Sequence, residues 1–146
     1  MQLTAHFSLE ELIASEWAMR HGVPNHPGPE EINNLLITAM GMEQCRAVVG
    51  QPIYVLSGYR SQRVNAGVGS NSRSDHLKGL ACDWVCPGYG PPKVCCKAIR
   101  DSDIQFSQLI YEGNWVHIAF AEPRDKREVL TAKFDAHGVT YREGIV

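Results

Sequence analysis

Two histidines and an aspartate are the residues of this chain best suited to chemistry. His76 closes a long polar loop, Asp83 sits inside an apolar strand-like run, and His117 sits inside another. An aspartate between Cys82 and Trp84 is costly to bury unless something pairs with its charge. A divalent cation would do so, and two imidazoles with one carboxylate form the ligand set of an open catalytic zinc site, leaving a fourth position for water. Such a site acidifies the water toward neutrality and makes it a nucleophile. Spacing alone leaves other readings open. Each histidine can be an ordinary hydrogen-bonded residue, and Asp83 can equally pair with Arg60.

The five cysteines, at 45, 82, 86, 95 and 96, are the rival source of chemistry. Cys82, Cys86 and the adjacent Cys95 and Cys96 could in principle close a structural sulfur site. Strand alternation turns Cys82 away from Asp83, and neighbours on a helix diverge by about 100°. Reduced, buried thiols are the expectation, in keeping with an odd cysteine count.

The elements that must position these residues follow from patterning. Ser8-Leu9-Glu10-Glu11 forms a capping box, with Phe7 and Leu12 as a hydrophobic staple, and predicts a helix through Trp17 to Gly22. Pro29-Glu30-Glu31 opens a second helix, whose apolar period runs through Ile32, Leu35, Leu36, Ala39, Met40 and Ala47, with Glu43 intruding. Ile53–Leu56 predicts a short buried strand and Leu80–Val85 another. Pro91-Pro92 opens a third helix to about Asp101. Gln108–Tyr111 and Trp115–Phe120 predict a hairpin turning at Glu112-Gly113-Asn114. Residues 57–75 are rich in Ser, Gly, Asn and Arg and predict a loop with one helical turn near Gln62–Asn65. So long a loop in a small chain is usually functional or disordered. Trp84, Trp115, Tyr59 and Tyr111 lie near the site in sequence, with core packing expected for Trp115. A polar tail follows Glu122, with a small strand at Val139-Thr140-Tyr141.

Composition excludes several classes. The 146 residues, 44% hydrophobic and 21% charged, suit one domain with one core. We expect a single domain over 1–146, with its core at about 7–120 and a tail at 121–146. A formal charge of −2 without clustered Lys and Arg gives no electrostatic footprint for nucleic acid. No apolar run approaches the roughly 20 residues that span a bilayer. The first residues lack a basic and an apolar region, so no cleavable secretion signal is expected and synthesis should be cytoplasmic. A monomer is expected.

The words around the three residues carry more information. Ser57-Gly58-Tyr59-Arg60-Ser61, Val64-Asn65, Ser74-x-His76-x-x-Gly79-x-Ala81-x-Asp83 and Trp115-x-His117 occur in this order. The chain resembles the LAS-type zinc peptidases, which include D-alanyl-D-alanine carboxypeptidases, D,D-dipeptidases and phage L-alanyl-D-glutamate endolysins. The likeness runs from Phe7 to about Phe120 and is nearest to the short phage and bacterial members. It implies an α+β fold, helices packed on one side of a small, mainly antiparallel sheet, shared with hedgehog signalling domains. It implies one Zn²⁺ on His76, Asp83 and His117, with Arg60 polarising the scissile carbonyl and Ser74 binding substrate. The implied substrate is an amide bond in peptidoglycan stem peptides, cut by a carboxypeptidase or an endopeptidase, in a cell wall reached by phage-mediated release or from a virion. The chain departs from the family at Asn114, where several members carry an acid three residues before the last histidine. Glu112 shares the strand parity of 114 and is the candidate general base; its plainer reading is a solvated turn residue. Asn114 also motivates the alternative of a non-catalytic wall-binding or phage structural module that keeps the metal-site fold.

Overall fold

The computed structural model describes all of residues 1–146. Its framework is a six-stranded sheet in the order β1-β2-β4-β3-β5-β6. The strands are β1 (Tyr54–Ser57), β2 (Ala81–Val85), β3 (Gln108–Tyr111), β4 (Val116–Ala119), β5 (Glu128–Asp135) and β6 (Gly138–Glu143). Every pairing is antiparallel except β3 with β5. The α+β architecture expected from the resemblance is the one observed.

Register explains how one sheet serves two purposes. Asp83 pairs with His117, His117 with Ile110, Ile110 with Leu130, and Leu130 with Glu143. Directly opposed residues point to the same face, so this row lines one face of the sheet. The intervening residues line the other: Cys82, Trp84, Val116, Ile118 and Leu109 are fully buried. There they join Leu35, Ala39, Met42, Cys45, Cys95, Cys96 and Ile99 from the helices α3 (Pro29–Val49) and α5 (Pro92–Arg100) in one core. All five cysteines are buried and free. Burial pushes the Cys45 and Cys96 thiols up to about 12 and Cys95 to about 11. They pack as small apolar groups.

Four elements differ from the sequence reading. The N-terminal helix is two helices, α1 (Leu9–Ile13) and α2 (Glu16–His21), because Ala14 is extended and Ser15 caps the second through Ala18 N–H. The capping box at Ser8 and Glu11 forms as expected. On α3 the buried face is Leu35, Thr38, Ala39, Gly41, Met42, Cys45 and Val49, and the apolar Leu36 and Met40 face solvent. The face rotates because Gly41 lies against the Phe120 ring, where any side chain would collide. Strand β1 is an edge strand with Tyr54 and Leu56 exposed, not a buried one. The polar tail extends the sheet: β5 joins β3 in parallel and turns back as β6. No helix is long and apolar enough to cross a membrane.

Candidate metal centre

Asp83 is the hub. Its carboxylate is 8% exposed and meets three cationic or potentially cationic groups. Oδ2 lies 3.2 Å from Arg60 Nη2 and 3.3 Å from His76 Nε2, and Oδ1 lies 2.8 Å from His117 Nδ1. Burial alone would raise its pKa, but the His76 charge and the hydrogen bonds from both imidazoles outweigh it and hold the carboxyl far below the usual range. Ligand atoms of His76, Asp83 and His117 lie within 4.8 Å of one another.

Each ligand has a local cause. Asp83 and His117 face each other across the β2–β4 ladder. His76 stands on a 3₁₀ turn, Asp75–Lys78, that Gly79 closes in the left-handed conformation at φ +76°. A Cβ at Gly79 would also sit 2.9 Å from the Glu31 carbonyl oxygen, so glycine is required there on both counts. Helix α3 clamps this turn: Thr38 Oγ1 donates to the Gly79 carbonyl at 2.6 Å and Asn34 Nδ2 to that of Lys78 at 2.9 Å. The His76 ring is oriented from behind. Its Nδ1 sits 2.6 Å from the Gly58 carbonyl oxygen, so Nδ1 carries a proton and Nε2, 3.3 Å from Asp83 Oδ2, is the ring atom that faces the site. Gly58 is in turn pressed against α1, where a Cβ would lie 2.3 Å from the Leu12 carbonyl oxygen.

The donor set fits a metal. Two imidazoles and one carboxylate converge, one imidazole has its tautomer fixed by a backbone carbonyl, and the group opens into a cleft. The cysteine alternative is not met, since the group of three or more side chains close enough to share a metal is His76, Asp83 and His117 and contains no cysteine. Burial pulls the His76 pKa down more than Asp83 lifts it. For His117 burial also lowers the pKa, but the Asp83 hydrogen bond and charge prevail and it is raised.

The cleft is about 520 Å³ and is lined by the three ligands with Arg60, Ser74 and Glu112. Arg60 is held by three acceptors: Nε donates to Ser57 Oγ at 2.9 Å, Nη1 to Asn65 Oδ1 at 3.4 Å, and Nη2 to Asp83. Burial lowers its pKa against the opposing charges of Asp83 and Glu112, and a guanidinium remains charged throughout. Helix α4 (Gln62–Gly67) brings in Asn65, which is 2% exposed and donates to the Asn71 carbonyl. Ser74 caps the 3₁₀ turn, its Oγ accepting from His76 N–H at 3.2 Å, so its turn role and its place in the cleft coexist.

The turn between β3 and β4 separates Glu112 from Asn114. Glu112 N–H donates to the Trp115 carbonyl at 3.1 Å, and Gly113 takes φ +85°. Glu112 is half-buried in the cleft, whereas Asn114 is exposed outside it. Burial raises the Glu112 pKa, the His117 and Arg60 charges lower it and Asp83 raises it, leaving it above the ordinary carboxylate value. Trp115 is half-buried in the cleft wall, contrary to the core position expected from sequence; Trp84 is the core tryptophan.

A positioning residue absent from the sequence reading is Asn25. Its amide donates to the Ile13 and Tyr59 carbonyls and accepts from Ser61 N–H, fixing the chain on both sides of Arg60. It lies in a turn-rich connector where nothing in the pattern distinguishes it. The model of the family described as Peptidase M15 matches residues 5–119, covering every ligand, Arg60, Ser74 and Glu112. The chain belongs to the Peptidase M15 family. It is a peptidase of a family that is zinc-dependent in general, and it carries a candidate His-Asp-His metal group. No curated protein matches the chain.

Proposed function

We propose that this M15 peptidase is a zinc-dependent enzyme that hydrolyses an amide bond in the stem peptides of bacterial peptidoglycan. The observation that carries the reading is convergence: three metal-competent side chains, a buried arginine and a half-buried glutamate line one cleft. His76, Asp83 and His117 would hold the zinc, which when bound would supply Lewis acidity for a carbonyl and for water. Glu112 has the exposure and the raised pKa of a general base; its carboxylate takes a proton from the attacking water and returns it to the leaving amine. Arg60 keeps N–H groups beyond those used by Ser57, Asn65 and Asp83, and these donate to the carbonyl oxygen as negative charge develops. Its three acceptors hold it in place before substrate arrives, so little reorganisation accompanies the reaction. The Ser74 hydroxyl orients the substrate at the rim.

The test is metal stoichiometry with hydrolysis. The wild-type protein should bind one zinc per chain and release stem-peptide fragments. His117→Ala and Asp83→Ala should lose both, with folding checked by circular dichroism. Hydrolysis retained by a folded variant that no longer binds zinc contradicts the mechanism. A second reading, a wall-binding module that keeps the metal site, draws on Asn114 standing where several relatives carry an acid. It predicts wall binding without product.

A further inference from the structure

We propose that Tyr141, on the C-terminal hairpin beyond the family match, is a substrate-positioning residue of the peptidase cleft. The inference rests on the proposed function and goes past it, since the family match ends at residue 119. Four observations place Tyr141 there. It lines the same cavity as Asp83, His117 and Glu112. Its register is Ala132↔Tyr141 beside Leu130↔Glu143, and Leu130 pairs with Ile110, so Tyr141 lies on the metal-bearing face of the sheet. Strand order puts β6 at one edge and β1, which leads into Arg60, at the other, with the ligand-bearing strands between. The two residues therefore bound the cleft from opposite sides. Finally, the Tyr141 phenol is pushed up by burial and by the negative charge of Glu112, an electrostatic link to the candidate base.

The cleft wall mixes polar and apolar groups, with Ser70, Asn71 and Arg73 following Val68 on the loop and Gln108, Ile110 and Tyr141 on the sheet. A half-exposed aromatic ring in this wall suits an alkyl-bearing residue of an extended peptide, because the ring offers large apolar area at low entropic cost. The polar groups suit the peptide's amides and carboxylates. Tyr141 thus sets how the stem peptide lies across the metal without taking part in bond breaking.

Steady-state hydrolysis of a soluble stem-peptide substrate by the zinc-loaded full chain tests this. Tyr141→Ala should raise KM roughly tenfold with kcat within about twofold, the pattern of lost uniform binding. Tyr141→Phe, which keeps the ring, should retain the wild-type KM. Phe134→Ala is the control for hairpin integrity, since Phe134 is exposed on the same hairpin and outside the cleft; its kinetics should not change. Zinc content and thermal midpoint should be unaltered in all three. An unchanged KM in Tyr141→Ala, or an equal loss in Phe134→Ala, overturns the assignment while leaving the peptidase reading intact. A wild-type protein that hydrolyses no stem peptide overturns both.

Discussion

At the scale of single residues, the site is a problem of charge burial solved by mutual pairing. Asp83 lies almost fully buried against Arg60, His76 and His117, and removing one partner of such a group leaves an uncompensated charge that costs about 3–5 kcal/mol. A metal ion relieves the same problem while turning the group to chemistry. Glu112 differs from these residues in being half-buried at the cleft rather than locked among partners, which suits the proposed general base. Glu112→Gln keeps the shape and removes the basicity. Its kcat on stem peptides should fall by at least about a hundredfold, the usual size of a general-base contribution, while zinc affinity stays near wild type. Equal turnover of the two proteins would assign the base elsewhere. The convergence of His76, Asp83 and His117 was legible in sequence because their spacing words are specific. Tyr141 and Asn25 were not, since a strand tyrosine and a loop asparagine carry no signal until the fold brings them to the site.

At the scale of elements, the three candidate ligands are held by strands and by a helix that lines no part of the cleft. The β2–β4 ladder fixes Asp83 against His117, and α3 grips the 3₁₀ turn behind His76. Glu43, the polar intruder on α3, serves the N-terminal segment: it accepts from Thr4 Oγ1 at 2.7 Å and His6 N–H at 2.6 Å and meets His6 Nδ1 at 2.7 Å. Burial would raise its pKa, but the hydrogen bonds from His6 and Thr4 and the His6 charge hold it below the ordinary 4.5. A depressed carboxylate stabilises the fold above its unfolded pKa, and that contribution disappears as pH falls through the folded value. Glu43→Gln should therefore cost about 1 kcal/mol at pH 7, and the difference from wild type should shrink below pH 4.5. Thermal unfolding across about pH 3–7 measures it; a pH-independent difference would assign Glu43 to packing alone. Element types came readily from periodicity and caps. The break at Ala14 and the rotated face of α3 did not, because Ser15 reads equally as a helix interior, and because only the Phe120 ring against Gly41 decides which apolar stripe turns inward.

At the scale of the whole molecule, a single sheet divides the work. One face, with α3 and α5, forms the core that holds all five cysteines, and the other carries the metal group and its cleft. Alternation along β2 performs the division locally, placing Cys82 and Trp84 inward and Asp83 outward. The hairpin β5–β6 lengthens the cleft face beyond the region shared with the family. Its strands were the least legible part of the fold: Lys133, Asp135 and Arg142 alternate with apolar residues in a stretch whose charge content reads as a solvated tail, and its parallel seat against β3 is a nonlocal pairing. The proposed reaction of this assembly is hydrolysis of stem-peptide amides at its metal group. Mass spectrometry of purified peptidoglycan, incubated with zinc-loaded protein and with the same protein stripped by a chelator, tests it most directly. Stem-peptide fragments ending at one defined amide bond should accumulate with the loaded protein alone; the same fragments from the stripped protein, or none from either, would contradict the claim.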